Sequence, residues 1–382
     1  MSGTSRCWAE IDLQALRGNL TAIRDAIGPN RRIITVVKAD AYGHGLRAVA
    51  SLLMQNGTDM FGVANLTEAH HIRQVGAGWP ILALSAALPE EVREFVHANV
   101  RPSLSSLREV ESFAAAASSA RVILPVHLKV DTGMGRLGFP PDDTLEAALT
   151  IQQHPSLRLE GLMTHFADAD GDNEFTEMQL KRFNAVLAIL RRHGVEPEWI
   201  HAANSAGLLY HAKSRFNAVR PGLAVYGLVP DAPADHAPSS RLAARLIPAC
   251  VWKARVSFVK TVPAGTPLSY GCRFVTHAET RVATVSAGYG DGFLRKYGDR
   301  GSVLIGGRPC RVLGRVTMDQ ILADVTRVPG IDTGDEVVLM GRQGGATIAA
   351  GDLAAWGKTI PWEVLTAITG RVPRVYRGQT VS

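Results

Sequence analysis

Between Asp12 and about Leu228 the chain alternates short apolar runs with longer amphipathic stretches. The runs at 33–37, 60–63, 81–84, 122–130, 159–165, 199–202 and 218–220 read as strands, and a weaker one spans 100–104. Between them, apolar positions recur at helical spacing over 46–55, 66–75, 107–117, 143–153, 176–193 and 206–213. Asp12 reads as the N-cap of an earlier helix that carries Leu13, Leu16, Leu20 and Ile23 on one face. Eight strands alternating with helices over roughly 200 to 250 residues is the pattern of a (β/α)8, TIM-like barrel. An open doubly wound sheet is the alternative, and the absence of G-x-G-x-x-G after any early strand counts against it.

The stretch PDAPADHAPSS, 230–240, reads as a linker, and beyond it the texture changes. Runs at 251–262, 281–286, 303–305, 311–316, 320–325 and 336–339 are β-rich and divided by glycine and proline turns. Helical patterns at 349–356 and around 362–368 interrupt them. The expected organisation is a barrel domain over 10–240 and a mostly antiparallel β domain over 241–382, with residues 1–9 packing against the latter.

Composition narrows the function classes. At 382 residues with 46% hydrophobic and 20% charged residues, the chain can bury a large core and is not disordered. The net charge of +6 is mostly scattered arginine, without basic blocks interleaved with aromatics, which disfavours nucleic acid as a partner and favours small anions. Cys7, Cys250, Cys272 and Cys310 show neither metal-ligand nor disulfide spacing, so no metal is expected and reduced thiols fit best. Neither a signal-peptide run nor an apolar span of membrane length is present, so the expectation is a cytoplasmic protein without a membrane partner.

A barrel gathers the residues at the carboxyl ends of its strands on one face. Those are Lys38 and Tyr42 after the first strand, Lys129, Asp131 and Arg136 around the end of the fifth, and His165 after the sixth. The seventh adds His201, Asn204 and Ser205, and the eighth adds Arg220 and Gly222. Each could be structural: a histidine at a strand end is often a satisfied core residue, and a lysine there can run its stem along the rim. Lys38 stands out because it ends a core strand in a chain with only eight lysines. Desolvated in a barrel mouth, its amine would lose affinity for a proton and could condense with an aldehyde. Backbone amides near Asn204, Ser205, Gly222 and Leu223, with Tyr42, would suit a phosphate. An aldehyde together with a phosphate points to pyridoxal phosphate.

Eight blocks then form a recognisable series: VVKADAYGHG, KVDTGMGRLGF, HAANSAG, VRPGLAVYG, LSYG, GYGDGF, GRVTMDQ and RVPRVY. In order and spacing, from Trp8 to Tyr376, the chain resembles the alanine racemase family. That resemblance implies a pyridoxal 5'-phosphate-dependent isomerase that interconverts L-alanine and D-alanine through a Schiff base by a two-base mechanism. It also implies supply of D-alanine for peptidoglycan, and a homodimer whose active sites are shared. It casts Lys38 as cofactor anchor and base for the D-isomer, and Tyr270 of the partner chain as base for the L-isomer. His165 is then the contact of Tyr270, linked onward to Arg220 at the cofactor ring nitrogen, and His201 orients Arg220. Cofactor contacts extend to Tyr42, Asn204, Ser205, Gly222, Leu223 and Trp362. Arg136 and the Met318 main chain hold the substrate carboxylate, with Lys129, often carbamylated in the family, positioning Arg136. Tyr289, Asp319, Asp170, Arg295 and Arg315 correspond to the family's access corridor, where the competing reading is ordinary solvated charge.

One departure bears on specificity. The family usually has tyrosine where Trp362 stands, so a broader racemase of alanine, serine or another small amino acid is an alternative. A barrel-type decarboxylase shares the lysine after strand one, but Arg136 and a base on each face argue for retention of the carboxylate. A non-catalytic pyridoxal phosphate carrier would resemble the barrel alone, without Tyr270 or a C-terminal domain.

Overall fold

The computed structural model describes residues 5–232 and 241–378. The chain forms two compact units. One comprises Ala15–Ala41 and Leu46–Ile247; the other takes in the chain up to Gln14, Tyr42–Gly45 and everything from Pro248. Most of the expected linker, 233–240, lies outside the described residues.

The first unit is built on eight parallel strands. In chain order they are Arg32–Val36, Met60–Val63, Ile81–Ala83, Ser103–Leu104, Leu124–Lys129, Leu157–Met163, Trp199–His201 and Ala218–Val219. The last pairs back onto the first, Arg32 opposite Ala218 and Ile33 opposite Val219. The third and fourth strands meet through a single parallel bridge, Leu82 with Arg101, which closes the ring. Helices fill the connections, including Leu13–Ile27, Leu46–Met54, Leu66–Val75, Leu107–Ala120, Thr144–Gln153 and Asn173–Arg192. The weak run at 100–104 shrinks to the two-residue strand Ser103–Leu104, with Arg101 before it held in an isolated bridge and Pro102 between them lacking an N–H for the ladder. The helix expected over 206–213 is Ser205–Tyr210 followed by a separate 3-10 turn, Ala212–Arg215, and a helix that the apolar pattern did not announce spans Val92–His97.

The second unit is a mostly antiparallel β fold. Cys250–Val262, Glu336–Gln343, Ser302–Ile305, Arg308–Leu313, Ile321–Asp324 and Thr280–Val285 pair in that order, each antiparallel to the next, and the last pairs back onto Cys250–Val262. The strand Cys7–Asp12 adds to Cys250–Val262 antiparallel and to Arg374–Arg377 parallel. The helices Ala350–Gly357 and Pro361–Ala367 complete the unit.

Candidate active site

Strand register aims the chemistry. Ile34, Met60, Leu82, Met163, Trp199 and Ala218 form one buried apolar cluster. Side chains alternate along a strand, so the residues two positions on share the same face. After Met163, Trp199 and Ala218 those are His165, His201 and Arg220; after Ile34 they are Val36 and then Lys38. An apolar layer is therefore followed, toward the carboxyl ends, by a layer of nitrogen bases and cations.

Arg220 is the centre of that layer, only 3% exposed. Its Nη1 donates to Nδ1 of His201 at 2.8 Å, and its Nη2 to the carbonyls of Thr164 (2.8 Å) and Ala202 (3.0 Å) and to Nδ1 of His165 (3.0 Å). None of these bonds uses Nε, which leaves a donor available to a ligand. Burial beside this guanidinium pushes His165 and His201 well below the ordinary imidazole range, so both are neutral. Because arginine can only donate, His165 must accept at Nδ1 and carry its proton on Nε2.

Lys38 stands two residues beyond the first strand, after Val37. Burial, then the charges of Arg136 and Arg220, lower the affinity of its amine for a proton, while Glu68 opposes them. The four residues after it, Ala39, Asp40, Ala41 and Tyr42, hold φ values of 53–54°, a left-handed turn without glycine. At roughly 1–2 kcal/mol per residue, such a turn must be tied down. Ala41 N donates to Val37 O (2.9 Å), Leu46 N to the Asp40 carboxylate (2.7 Å), and Ala39 N to Oε1 of Glu68 (2.7 Å). The other oxygen of Glu68 accepts from Ala64 N at 2.7 Å, so one carboxylate joins the loops after the first and second strands.

Lys129 ends the fifth strand and is 2% exposed. Burial, with Arg220 and Arg136 nearby, lowers its pKa to about 8. Arg136 is exposed and makes no hydrogen bond among the described residues. Asn204 caps the helix Ser205–Tyr210 by accepting from Gly207 N (2.8 Å), and the Ser205 hydroxyl accepts from the amides of Gly222 and Ala224, 3.1 Å each. Leu223 begins the 3-10 turn Leu223–Tyr226. Asp170 sits half-buried, its carboxyl pushed up by burial and by Asp168 and Asp231.

The remaining predicted residues belong to the second unit. Tyr42 is buried, which raises its hydroxyl to about 12. Tyr270, 69% exposed, lines a cavity of about 350 Å³ with Tyr289, Arg295 and Arg315. Met318 is exposed, its carbonyl accepting from Gly290 N at 2.9 Å. Asp319 is paired with Arg371 at 2.8 Å, and Arg371 is held in turn by Asp291 at 2.7 Å. Trp362 stands in the first turn of Pro361–Ala367, partly buried.

The comparisons with known proteins cover the whole arrangement. The family model for the alanine racemase N-terminal domain matches residues 11–230, and that for the C-terminal domain matches 249–376. The chain belongs to the alanine racemase family. An alanine racemase from Desulfosudis oleivorans is 42% identical over 97% of this chain and 96% of its own length. One from Symbiobacterium thermophilum is 40% identical over 100% and 99%. A solved alanine racemase from Clostridium difficile superposes with a TM-score of 0.91 at 34% identity, covering 98% of this chain and 97% of its own. The fold read from the apolar pattern, a (β/α)8 barrel followed by an antiparallel β domain, is the fold of this family.

Two carboxylates escaped the reading of the sequence. Glu68 had a visible signal, since N-L-T-E is a capping-box spacing and Asn65 does cap the helix Leu66–Val75. Glu160 had none, because its burial depends on an irregularity in strand pairing. Among the described residues no helix is long and apolar enough to cross a membrane.

Proposed function

We propose that the protein racemises alanine with pyridoxal 5'-phosphate, using Lys38 and the partner subunit's Tyr270 as the two bases. The observation that carries this reading is the pairing of Lys38, whose amine burial gives a lowered affinity for a proton, with a buried Arg220 whose Nε is spare, in a chain of this family. The donor set suits each part of the cofactor: Lys38 for its aldehyde, Arg220 Nε for its ring nitrogen, and for its phosphate the Ser205 hydroxyl, whose oxygen accepts from the amides of Gly222 and Ala224 and whose proton is left to donate. Tyr42, Asn204, Leu223 and Trp362 would complete that cradle. When bound, the cofactor draws electrons from the substrate's Cα, acidity that no side chain can provide alone.

The rest falls to the protein. Arg136 and the Met318 main chain hold the substrate carboxylate and so fix which face of Cα each base meets. Lys38 would take or return the proton on one face, its affinity for a proton lowered by burial and by the charges of Arg136 and Arg220. Tyr270 does so on the other face. His165 accepts from Arg220 at Nδ1 and so presents Nε2–H as a donor that favours the phenolate of Tyr270. Arg220, being only a donor, cannot share a proton with the ring nitrogen as a carboxylate would, which disfavours the stray reprotonation of transamination. Tyr289, Arg295, Arg315, Asp319 and Asp170 would line the route in, where arginines attract the carboxylate. Supply of D-alanine to peptidoglycan is the corresponding cellular role.

Trp362 supports a second reading within the same chemistry. Tryptophan lacks the hydroxyl that the family usually places there, and its indole makes no hydrogen bond among the described residues, so serine or another small amino acid would also be handled. The test is a chiral assay of the purified protein across small amino acids, with Lys38→Ala as control. Lys38→Ala should lose both racemisation and the visible absorbance of the bound cofactor; if both survive, the assignment of the site is wrong.

A further inference from the structure

Behind Arg220 and His201 stand two further buried groups that the reaction described above does not use. Nε2 of His201 lies 2.8 Å from Nδ1 of His127, and Nε2 of His127 lies 3.3 Å from Oε2 of Glu160. Both imidazoles are fully buried, and Glu160 is 4% exposed. Glu160 is gripped at its far side by Arg101, and by Arg158 at 2.8 Å. Two features hold this row in place. A Cβ on Gly161, the strand partner of His127, would lie 2.4 Å from His127 Nδ1, so the missing side chain is the space the ring occupies. The register also slips there: Val126 pairs with Leu159 but His127 with Gly161, which leaves Glu160 as the extra residue of a bulge.

Only one arrangement of protons satisfies every contact. Arg220 donates to His201 Nδ1, so His201 carries its hydrogen on Nε2 and donates to His127 Nδ1. His127 therefore also carries its hydrogen on Nε2 and donates it to the Glu160 carboxylate. Burial, which lowers His127 as it does His201, agrees with two neutral rings. Burial alone would raise the Glu160 carboxyl, but hydrogen bonds from His127 and Arg101 hold it at about 2, so it is ionised and acts only as an acceptor.

We propose that Glu160 and His127 are positioning residues for Arg220: through His201 they lock both imidazoles in the Nε2–H tautomer and so keep the guanidinium turned with Nε toward the cofactor's ring nitrogen. The inference rests on the cofactor reading given above. Its consequence is chemical fidelity, since a guanidinium free to tilt no longer keeps the ring nitrogen unprotonated, and abortive transamination rises relative to racemisation.

The experiment has two arms. In the first, the wild-type protein, with and without pyridoxal phosphate, is labelled with nitrogen-15 histidine and its two-bond nitrogen–proton spectrum recorded. Both His127 and His201 should appear as neutral Nε2–H rings; an Nδ1–H or doubly protonated ring at either position overturns the proposal. In the second, His127→Leu, His127→Gln and Glu160→Gln are compared for pyruvate released per racemisation event. Glutamine can accept and donate in the same order as the neutral imidazole, whereas leucine only fills space. His127→Leu should raise pyruvate release about tenfold, the scale typical of losing an outer partner of a working histidine. Glu160→Gln should raise it less, and His127→Gln should remain near wild type. Equal behaviour of the Leu and Gln variants would mean that the row merely packs the barrel, and overturns the proposal. If His127→Leu does not fold, Glu160→Gln decides: an unchanged ratio overturns the proposal. Failure of the wild-type protein itself to racemise would refute the cofactor reading instead, and the tautomer spectrum separates the two cases.

Discussion

Replacing Glu68 with alanine tests whether the Lys38 loop is held by one carboxylate. The turn Ala39 to Tyr42 is left-handed at four consecutive residues with side chains, an intrinsic cost of roughly 4–8 kcal/mol. Glu68 accepts from Ala39 N at its start and from Ala64 N, both at 2.7 Å. Hydrogen bonds to a charged group are worth about 1.5–3 kcal/mol each, but Glu68 is half-buried and water would replace part of both, so the net loss should be about 2 kcal/mol. Amide hydrogen exchange reads this directly: protection at Ala39 and Ala64 should fall about 30-fold, with barrel-strand amides unaffected. Glu68→Gln keeps one acceptor and should fall between. A second readout concerns charge. Glu68 raises the pKa of Lys38 against burial and two arginines, so either variant should move the limb of the kcat profile that reports the free amine to lower pH. Undiminished protection at Ala39, or a limb that moves to higher pH, would refute the reasoning.

Three further outcomes are expected. Tyr270→Phe should slow proton removal from L-alanine by about 10² to 10⁴, and from D-alanine by less; equal losses for the two isomers would remove the assignment of one base to each face. Trp362→Tyr should raise the alanine-to-serine preference a few-fold, worth roughly 1 kcal/mol, and an unchanged ratio would free that position from any part in selectivity. Lys129, with a pKa of about 8 instead of 10.5, holds about 300-fold more neutral amine at pH 7 than an ordinary lysine. Carbon-13 bicarbonate should therefore give a carbamate signal that Lys129→Arg abolishes; its absence from the wild-type protein would count against carbamylation.

The layer of nitrogen bases and cations was legible because strand alternation and barrel topology act on sequence positions directly. Once Ile34, Met163, Trp199 and Ala218 are read as inward-facing, Lys38, His165, His201 and Arg220 follow by counting in twos. Expected and observed ends differ where the first residues of an apolar run have no strand to pair with: Val122 and Ile123 are exposed, and the fifth strand begins only at Leu124. The strand Cys7–Asp12 was not announced as one, since its partners Cys250–Val262 and Arg374–Arg377 lie more than two hundred residues away.

By itself, then, the sequence determined the alternation of strand and helix, the two textures of the chain, and the eight blocks that carry the family chemistry, because each is a local pattern of residue type and spacing. Only the tertiary structure decided which protons sit where. The tautomers of His127 and His201 and the burial of Glu160 follow from a glycine gap and a register slip between neighbouring strands. The left-handed turn at Ala39 is tied to a carboxylate 29 residues further along. Hydrogen bonds depend on atoms meeting in space, and spacing along the chain does not encode those meetings.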